Sequence, residues 1–210
     1  MNKSCNHTPD KNIDGAFLSF APERSLVFKI KIILKALTSI IVLTLWSLLM
    51  LAVAIVTLFR ARQLYNAYLA KWIARFILWQ WGITVVVHRK DDLPQGQVIY
   101  MSNHTSTLDI FVIISLGFYR CRYFLFGGLR RVIPLGIIAT VMGTFFNYPQ
   151  TEPEKRTRVF KNADRTLRIT GESVYLSPEG KRTTTGEIGH FNKGAFHLAT
   201  SLKAPIVPFY

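Results

Sequence analysis

Cysteine is almost missing from this sequence: Cys5 and Cys121 are the whole supply in 210 residues. One lies in a polar tail and the other beside an expected strand, so the pair offers neither a disulfide framework nor a zinc spacing. A reducing compartment without a structural metal is the default. Acidic residues are scarce too, 12 against 26 lysines and arginines, for a formal net charge of +14. That imbalance points to an anionic partner: a nucleic acid, a phospholipid surface or a phosphorylated substrate. No Gly-x-Ser-x-Gly elbow occurs, which removes one common exposed serine nucleophile. No internal repeat is evident. The length suits one compact domain with accessory elements, and a 50% hydrophobic content supplies a sizeable core.

The run "ALTSIIVLTLWSLLMLAVAIVTLF", Ala36 to Phe59, holds 24 residues without a charge. As a helix it would extend about 36 Å against a hydrocarbon core of about 30 Å. It is too long for a signal-peptide apolar region and no small-residue cleavage pattern follows, so it is expected to be retained. Basic residues flank both ends, Lys29, Lys31 and Lys35 before and Arg60 and Arg62 after. The positive-inside rule therefore assigns no orientation, and a spanning or a re-entrant helix fits equally. Leu64, Tyr65, Tyr68, Leu69, Trp72, Ile73, Phe76 and Ile77 then recur at helical period up to Gly82. Their aromatic and basic content suits an amphipathic helix at the headgroup boundary, with a helix packed on its own domain as the plain alternative. The organisation expected is a mobile tail over residues 1–25, an anchor over 26–82 and an α/β domain over 83–210.

From Ile83 onward short apolar runs alternate with helical stretches. Ile83–His88, Val98–Met101, Arg122–Phe126, Thr144–Phe146, Ser173–Ser177 and Ile206–Phe209 read as strands. Thr107–Gly117, Pro153–Thr170 and Lys193–Leu202 read as helices. Such alternation means α/β. "DDLPQG", Asp91 to Gly96, reads as a turn.

Two segments carry chemistry. "SNHTSTLDI" puts His104 five positions before Asp109, between a strand and a helix. Ser106-Thr107-Leu108-Asp109 fits a capping box, with Ser106 as N-cap and Asp109 three positions on. Positions five apart lie about 140° from each other on a regular helix, so a His104–Asp109 pair requires His104 to stand outside it. The two readings are compatible, because a carboxylate in the first turn can fold back. A carboxylate beside imidazole fixes the tautomer and stabilises the imidazolium, which makes His104 a candidate base. The second segment, "YLSPEGKRT", carries Glu179, Gly180, Lys181 and Arg182 after a strand. It reads either as a charged turn or as an anion site, since a guanidinium fork matches phosphate oxygens and glycine permits close backbone approach.

In order and content these segments resemble the glycerolipid acyltransferases typified by 1-acylglycerol-3-phosphate acyltransferase. His104-x4-Asp109 is similar to that family's His-x4-Asp block, Glu179-Gly180-Lys181-Arg182 to its Glu-Gly-Thr-Arg block, and Ala204-Pro205-Ile206-Val207-Pro208 to its late proline block. Ile133-Pro134-Leu135-Gly136, preceded by Arg130 and Arg131, is a weaker match in the acceptor-binding region. The resemblance implies a mixed sheet flanked by helices behind a two-helix membrane anchor. It implies His104 and Asp109 as catalytic residues, and Glu179, Gly180, Arg182, Arg130, Arg131 and Pro208 as substrate-binding ones. The reaction implied moves an acyl group from a coenzyme A or acyl carrier protein thioester to a lysophospholipid hydroxyl, with no metal or cofactor. Asn147 stands near the position where the family usually has an arginine, so Arg130 and Arg131 are expected to share that work. The chain ends two residues after Pro208, shorter than the family usually runs, which leaves open a fragment or the loss of a terminal strand and helix.

The site is expected on the cytoplasmic face, where thioesters are made, of a bacterial inner membrane rather than an organelle membrane. Two other classes compete. A nucleic-acid binder is favoured only by the charge and the basic helix carrying Lys155, Arg156, Arg158, Lys161, Arg165 and Arg168; it leaves the apolar run unexplained. A membrane protein with this fold but no activity, or an enzyme for another lyso-lipid or an amino-acid lipid, are the remaining alternatives.

Overall fold

A computed structural model of the chain describes residues 25–88, 92–183 and 187–209. The expected tail, apart from Ser25, and the first residue of the Asp91 turn lie outside the described residues. Two compact units divide the chain, Met1–Leu37 and Thr38–Tyr210. The expected boundary at Gly82 therefore does not coincide with a break in packing.

Helix α1 covers Leu26–Val56, beginning well before the apolar run because lysine is a good helix former and does not interrupt it. It ends where Leu58 and Phe59 take left-handed φ angles of 51° and 58°, three residues short of the expected end. Among the described residues it is the one helix long and apolar enough to cross a membrane. Ser39, Leu43, Ser47, Met50 and Ala54 form its buried stripe, spaced as one face of a helix. Small side chains in that stripe let the next helical segment approach closely: Trp46 donates to the Leu69 carbonyl at 3.0 Å and Trp81 to Ser39 Oγ at 3.1 Å. Ile40, Ile41, Leu45, Leu48 and Leu49 remain exposed.

That next segment corrects the two-helix anchor. A turn at Arg62–Leu64, a π-helical stretch at Tyr65–Ala70 and helix α2 (Lys71–Gln80) follow one another. Tyr65, Ala70, Ile73, Ala74 and Ile77 are buried in the main core, and Leu78 is buried as well. This segment is thus part of the domain, while Tyr68, Trp72, Phe76 and Trp79 stay exposed on its other side. The periodicity alone merged two apolar faces into one. The expected strand at Ile83–His88 is unpaired backbone.

The sheet comprises β1 (Ile99–Ser102), β2 (Cys121–Phe126), β3 (Phe145–Asn147), β4 (Ser173–Leu176) and β5 (Ile206–Phe209), in the order β3-β2-β4-β1-β5. All described pairings are parallel, so the sheet expected to be mixed is parallel throughout its described strands. Helices α3 (Asp109–Leu116), α4 (Ile133–Val141), α5 (Pro153–Thr170) and α6 (Gly194–Leu202) supply the crossovers. Helix α4 and the 3₁₀ turn before it, Gly127–Arg131, escaped the sequence reading because a glycine-rich, apolar stretch has no polar face to give a period.

Right-handed crossovers fix which face each helix covers. The β1→β2 and β2→β3 steps run one way along the sheet and the next two run back, so α3 and α4 fall on one face and α5 and α6 on the other. The core divides accordingly. Tyr100, Cys121, Tyr123 and Tyr175 pack with α1, α2, α3 and α4; Ile99, Met101, Phe124, Val174 and Leu176 pack with α5 and α6. At the sheet's other end Glu172 receives Arg122 Nε at 2.6 Å and Arg62 Nη1 at 3.2 Å. Burial works against its charge, yet the two guanidiniums outweigh it and hold the carboxyl below the ordinary 4.5.

Candidate active site

Adjacent strands β1 and β4 send their chains over opposite faces of the sheet. Their carboxyl ends therefore leave a crevice at a topological switch point, the usual ligand position in open α/β sheets. His104 follows β1 and Glu179 follows β4, so both expected segments arrive at this crevice.

The β1 loop turns back on itself around Asp109. Asp109 Oδ2 lies 2.9 Å from His104 Nδ1 and accepts the backbone N–H groups of Thr105 at 2.9 Å and Ser106 at 2.8 Å. Ser106 Oγ in turn accepts from Leu108 N at 3.1 Å. The expected capping box does not form: the helix begins at Asp109, with Leu108 as its N-cap and no side-chain cap, so these contacts fold the turn that precedes it. The same carboxylate that folds this turn also holds the imidazole. Nδ1–H donates to Asp109, which leaves Nε2 as the lone-pair nitrogen. The His104 side chain is 35% exposed and Asp109 22%, enough access for a substrate hydroxyl.

The β4 loop is zipped to this one. Thr183 N donates to the His104 carbonyl at 2.8 Å, and His104 N points to Glu179 Oε1 at 3.4 Å. Thr183 donates its hydroxyl to Glu179 Oε2, and Arg182 Nη1 donates to Thr107 Oγ1. Glu179 is 2% exposed, so it is a buried fastener between the loops rather than a surface charge. Gly180 has a φ of 67° and a side chain there would come within 3.0 Å of Asn192 Nδ2; the turn needs glycine for both reasons. Arg182 itself is exposed and free to meet an anion.

Other expected residues reach the same edge by different routes. Arg130 and Arg131 lie in the 3₁₀ turn after β2, both exposed, with the Arg130 guanidinium 4.9 Å from the Phe146 ring centroid. That neighbours Asn147, whose side chain accepts from Tyr148 N at 3.0 Å. Among the described residues no hydrogen bond or ion pair joins either arginine to His104, Asp109 or Arg182. Pro208 pairs in register with Met101 of β1, flanking the strand that delivers His104.

Asn192 was not among the residues expected at the site. Its backbone N donates to the Pro178 carbonyl at 2.8 Å, and its Nδ2 to the carbonyls of Pro178 and Glu179 at 3.1 and 2.8 Å. An asparagine just before a helix reads as a cap, but this one holds the Pro178–Glu179 turn instead. Beneath the crevice Ser102 Oγ and Tyr175 Oη are 2.9 Å apart; burial above all pushes the Tyr175 phenol up to about 12. It is a neutral hydrogen-bonding group, not a base.

Residues 84–210 match the family model described as Acyltransferase. The chain is 33% identical to 1-acyl-sn-glycerol-3-phosphate acyltransferase of Saccharomyces cerevisiae over 60% of its length and 42% of that protein. It is 29% identical to the human 1-acyl-sn-glycerol-3-phosphate acyltransferase beta over 70% of its length and 53% of that protein. The chain spans about half the length of the curated relatives it matches. Among solved structures it is similar to the 1-acyl-sn-glycerophosphate acyltransferase PlsC from Thermotoga maritima, with a TM-score of 0.55 and 20% identity, covering 80% of this chain and 72% of that one. The last likeness concerns the fold.

Proposed function

The chain belongs to the acyltransferase family, and from that premise we propose that it is a membrane-associated O-acyltransferase acting on 1-acylglycerol-3-phosphate. The observation that carries the reading is the 2.9 Å contact of His104 Nδ1 with Asp109 Oδ2 at the switch point of the sheet. His104 Nε2 takes the proton of the acceptor hydroxyl as its oxygen attacks the thioester carbonyl. The tetrahedral intermediate collapses, the C–S bond breaks, and the departing thiolate recovers the proton from the imidazolium. Asp109 stabilises that imidazolium through Nδ1. The donor is a fatty acyl thioester of coenzyme A or acyl carrier protein.

Arg182 holds the acceptor phosphate in a fork that its Thr107 contact orients. Arg130 assists from beside Asn147, supplying the positive charge that this position lacks. Helix α1 and the exposed aromatic side of α2 attach the enzyme to the bilayer in which the acceptor resides. The active site faces the cytoplasm, where thioesters are made, and the membrane is the bacterial inner one. Purified, detergent-solubilised protein given a labelled acyl thioester and lysophosphatidate should form phosphatidate. Absence of turnover with every lyso-acceptor would return the chain to the reading of an inactive acyltransferase-fold protein, which the asparagine at position 147 favours.

A further inference from the structure

Helices α5 and α6 lie on the face of the sheet opposite α1 and α2, and between them runs a cavity of about 540 Å³. Its floor is apolar, made by Phe160 and Leu198; Phe160 stacks on Phe124 at 4.9 Å. Its walls carry Arg156 and Lys161 from α5 and His197 from α6. The acid in the lining, Asp164, is already paired with Arg168 at 2.9 Å. Among the described residues Arg156, Lys161 and His197 form no ion pair. The cavity is therefore a cationic slot over an apolar base, which suits a flat heterocycle joined to phosphates.

Its position ties it to the chemistry. Both helices begin at the carboxyl edge of the sheet, and the lining residue Gln150 donates to Asn192 Oδ1 at 2.8 Å. Asn192 in turn donates to the Glu179 carbonyl, and Glu179 faces His104 N. The slot thus opens two side chains away from the catalytic loop, on the side of the sheet that the apolar helix does not cover. A lipid acceptor coming from the α1–α2 face and a water-soluble donor coming from this one would meet at the crevice.

We propose that the α5–α6 slot binds the 3′-phosphorylated adenosine diphosphate end of a coenzyme A thioester, leaving its pantetheine arm to run past Gln150 and Asn192 to His104. This deepens the proposed acyl transfer by choosing between its two donors: about 300–1,000 Å³ is the size of small-molecule sites, whereas a carrier protein would need a broad face rather than a slot. The basic helix that raised the question of nucleic acid then serves a single nucleotide.

The test compares full-length enzyme with Arg156→Ala/Lys161→Ala, using palmitoyl-coenzyme A and palmitoyl-pantetheine as donors. Arg158→Ala, on α5 but outside the slot, controls for general loss of charge. The double variant should raise KM for the coenzyme A donor roughly tenfold or more, as for loss of charge-assisted hydrogen bonds, with kcat and the pantetheine donor little changed. Titration of 3′-phosphoadenosine 5′-diphosphate should bind wild type and Arg158→Ala but not the double variant. Equal KM changes for both donors, equal losses in Arg158→Ala, or nucleotide bound undiminished by the double variant would overturn the slot. Nucleotide that does not bind wild type, with transfer only from acyl carrier protein, overturns it while acyl transfer stands. Nucleotide bound through Arg156 and Lys161 without transfer from any thioester supports the slot and removes the acyltransferase reading.

Discussion

His104 Nδ1 and Asp109 Oδ2 stand 2.9 Å apart, and the same oxygen receives the N–H groups of Thr105 and Ser106. One carboxylate thus folds the turn ahead of α3 and orients the candidate base. Sharing that carboxylate ties the imidazole to the turn formed by Thr105 and Ser106. Altering Asp109 is therefore expected to disturb fold and chemistry together, and altering His104 chemistry alone.

His104→Ala is therefore expected to cut turnover by about 10²–10⁴-fold, the usual worth of a positioned base, with an unchanged melting temperature. Retention of more than a tenth of wild-type turnover would falsify its role. Steady-state assays on folded protein, judged by circular dichroism, decide it.

Asp109→Asn should lower kcat, because an amide cannot stabilise imidazolium as a carboxylate does. It should also cost about 1.5–3 kcal/mol of stability, the usual worth of a hydrogen bond to a charged group, through its weakened contacts with the N–H groups of Thr105 and Ser106. A purely structural Asp109 would show the second effect without a changed pH profile of kcat, so the profile is the discriminating measurement.

The α/β class, five of the six strands and three of the four helices from Asp109 onward, α3, α5 and α6, were legible because each shows its period cleanly. The His104–Asp109 contact was legible as one of two readings, since a pair at that spacing requires the histidine to stand outside the helix. Besides α4, three things were hidden. Tyr65, Ile73 and Ile77 bury into the domain while Trp72 and Phe76 point away, a division that one hydrophobic period cannot express. Asn192 acts on backbone carbonyls 13 and 14 residues before it, a contact that exists only once β4 and α6 are folded. The fastening role of Glu179 depends on β4 lying beside β1, and strand order is not written in any local pattern.

Arg182→Ala should raise KM for lysophosphatidate while sparing an acceptor without phosphate. Arg182→Lys should restore it only in part, because a lysine cannot make the bidentate contact. An equal loss on both acceptors would make Arg182 a brace for Thr107 rather than an anion ligand. Assays with matched acyl chains on the two acceptors provide the comparison.

Glu172 predicts a pH effect on stability. Its folded pKa lies below the ordinary 4.5, so its contribution is fully present above that value and is lost as pH falls through the lower, folded one. Glu172→Gln leaves Arg122, whose side chain is 9% exposed, without its partner. About 3–5 kcal/mol is typical for breaking a buried pair; Arg62, one-third exposed at 33%, adds little. Urea melts at neutral and acid pH should show the variant destabilised at neutral pH and its gap to wild type narrowing below pH 4.5.

The two faces of α2 should separate under mutation. Ile73 and Ile77 are 4% and 2% exposed, so Ile73→Ala and Ile77→Ala should each cost about 2–5 kcal/mol of stability. Trp72 and Trp79 are 59% and 72% exposed, so removing their rings should leave the melting temperature alone and weaken binding to phospholipid vesicles. High salt should not release the full chain from membranes, since screening weakens charge attraction but not the burial of an apolar helix of α1's length. The tryptophan variants should then grow more salt-sensitive only if α2 and the basic charge share the attachment. Complete release of wild-type protein by salt alone would mean that α1 does not enter the bilayer, and its exposed isoleucine and leucine face would need another apolar partner.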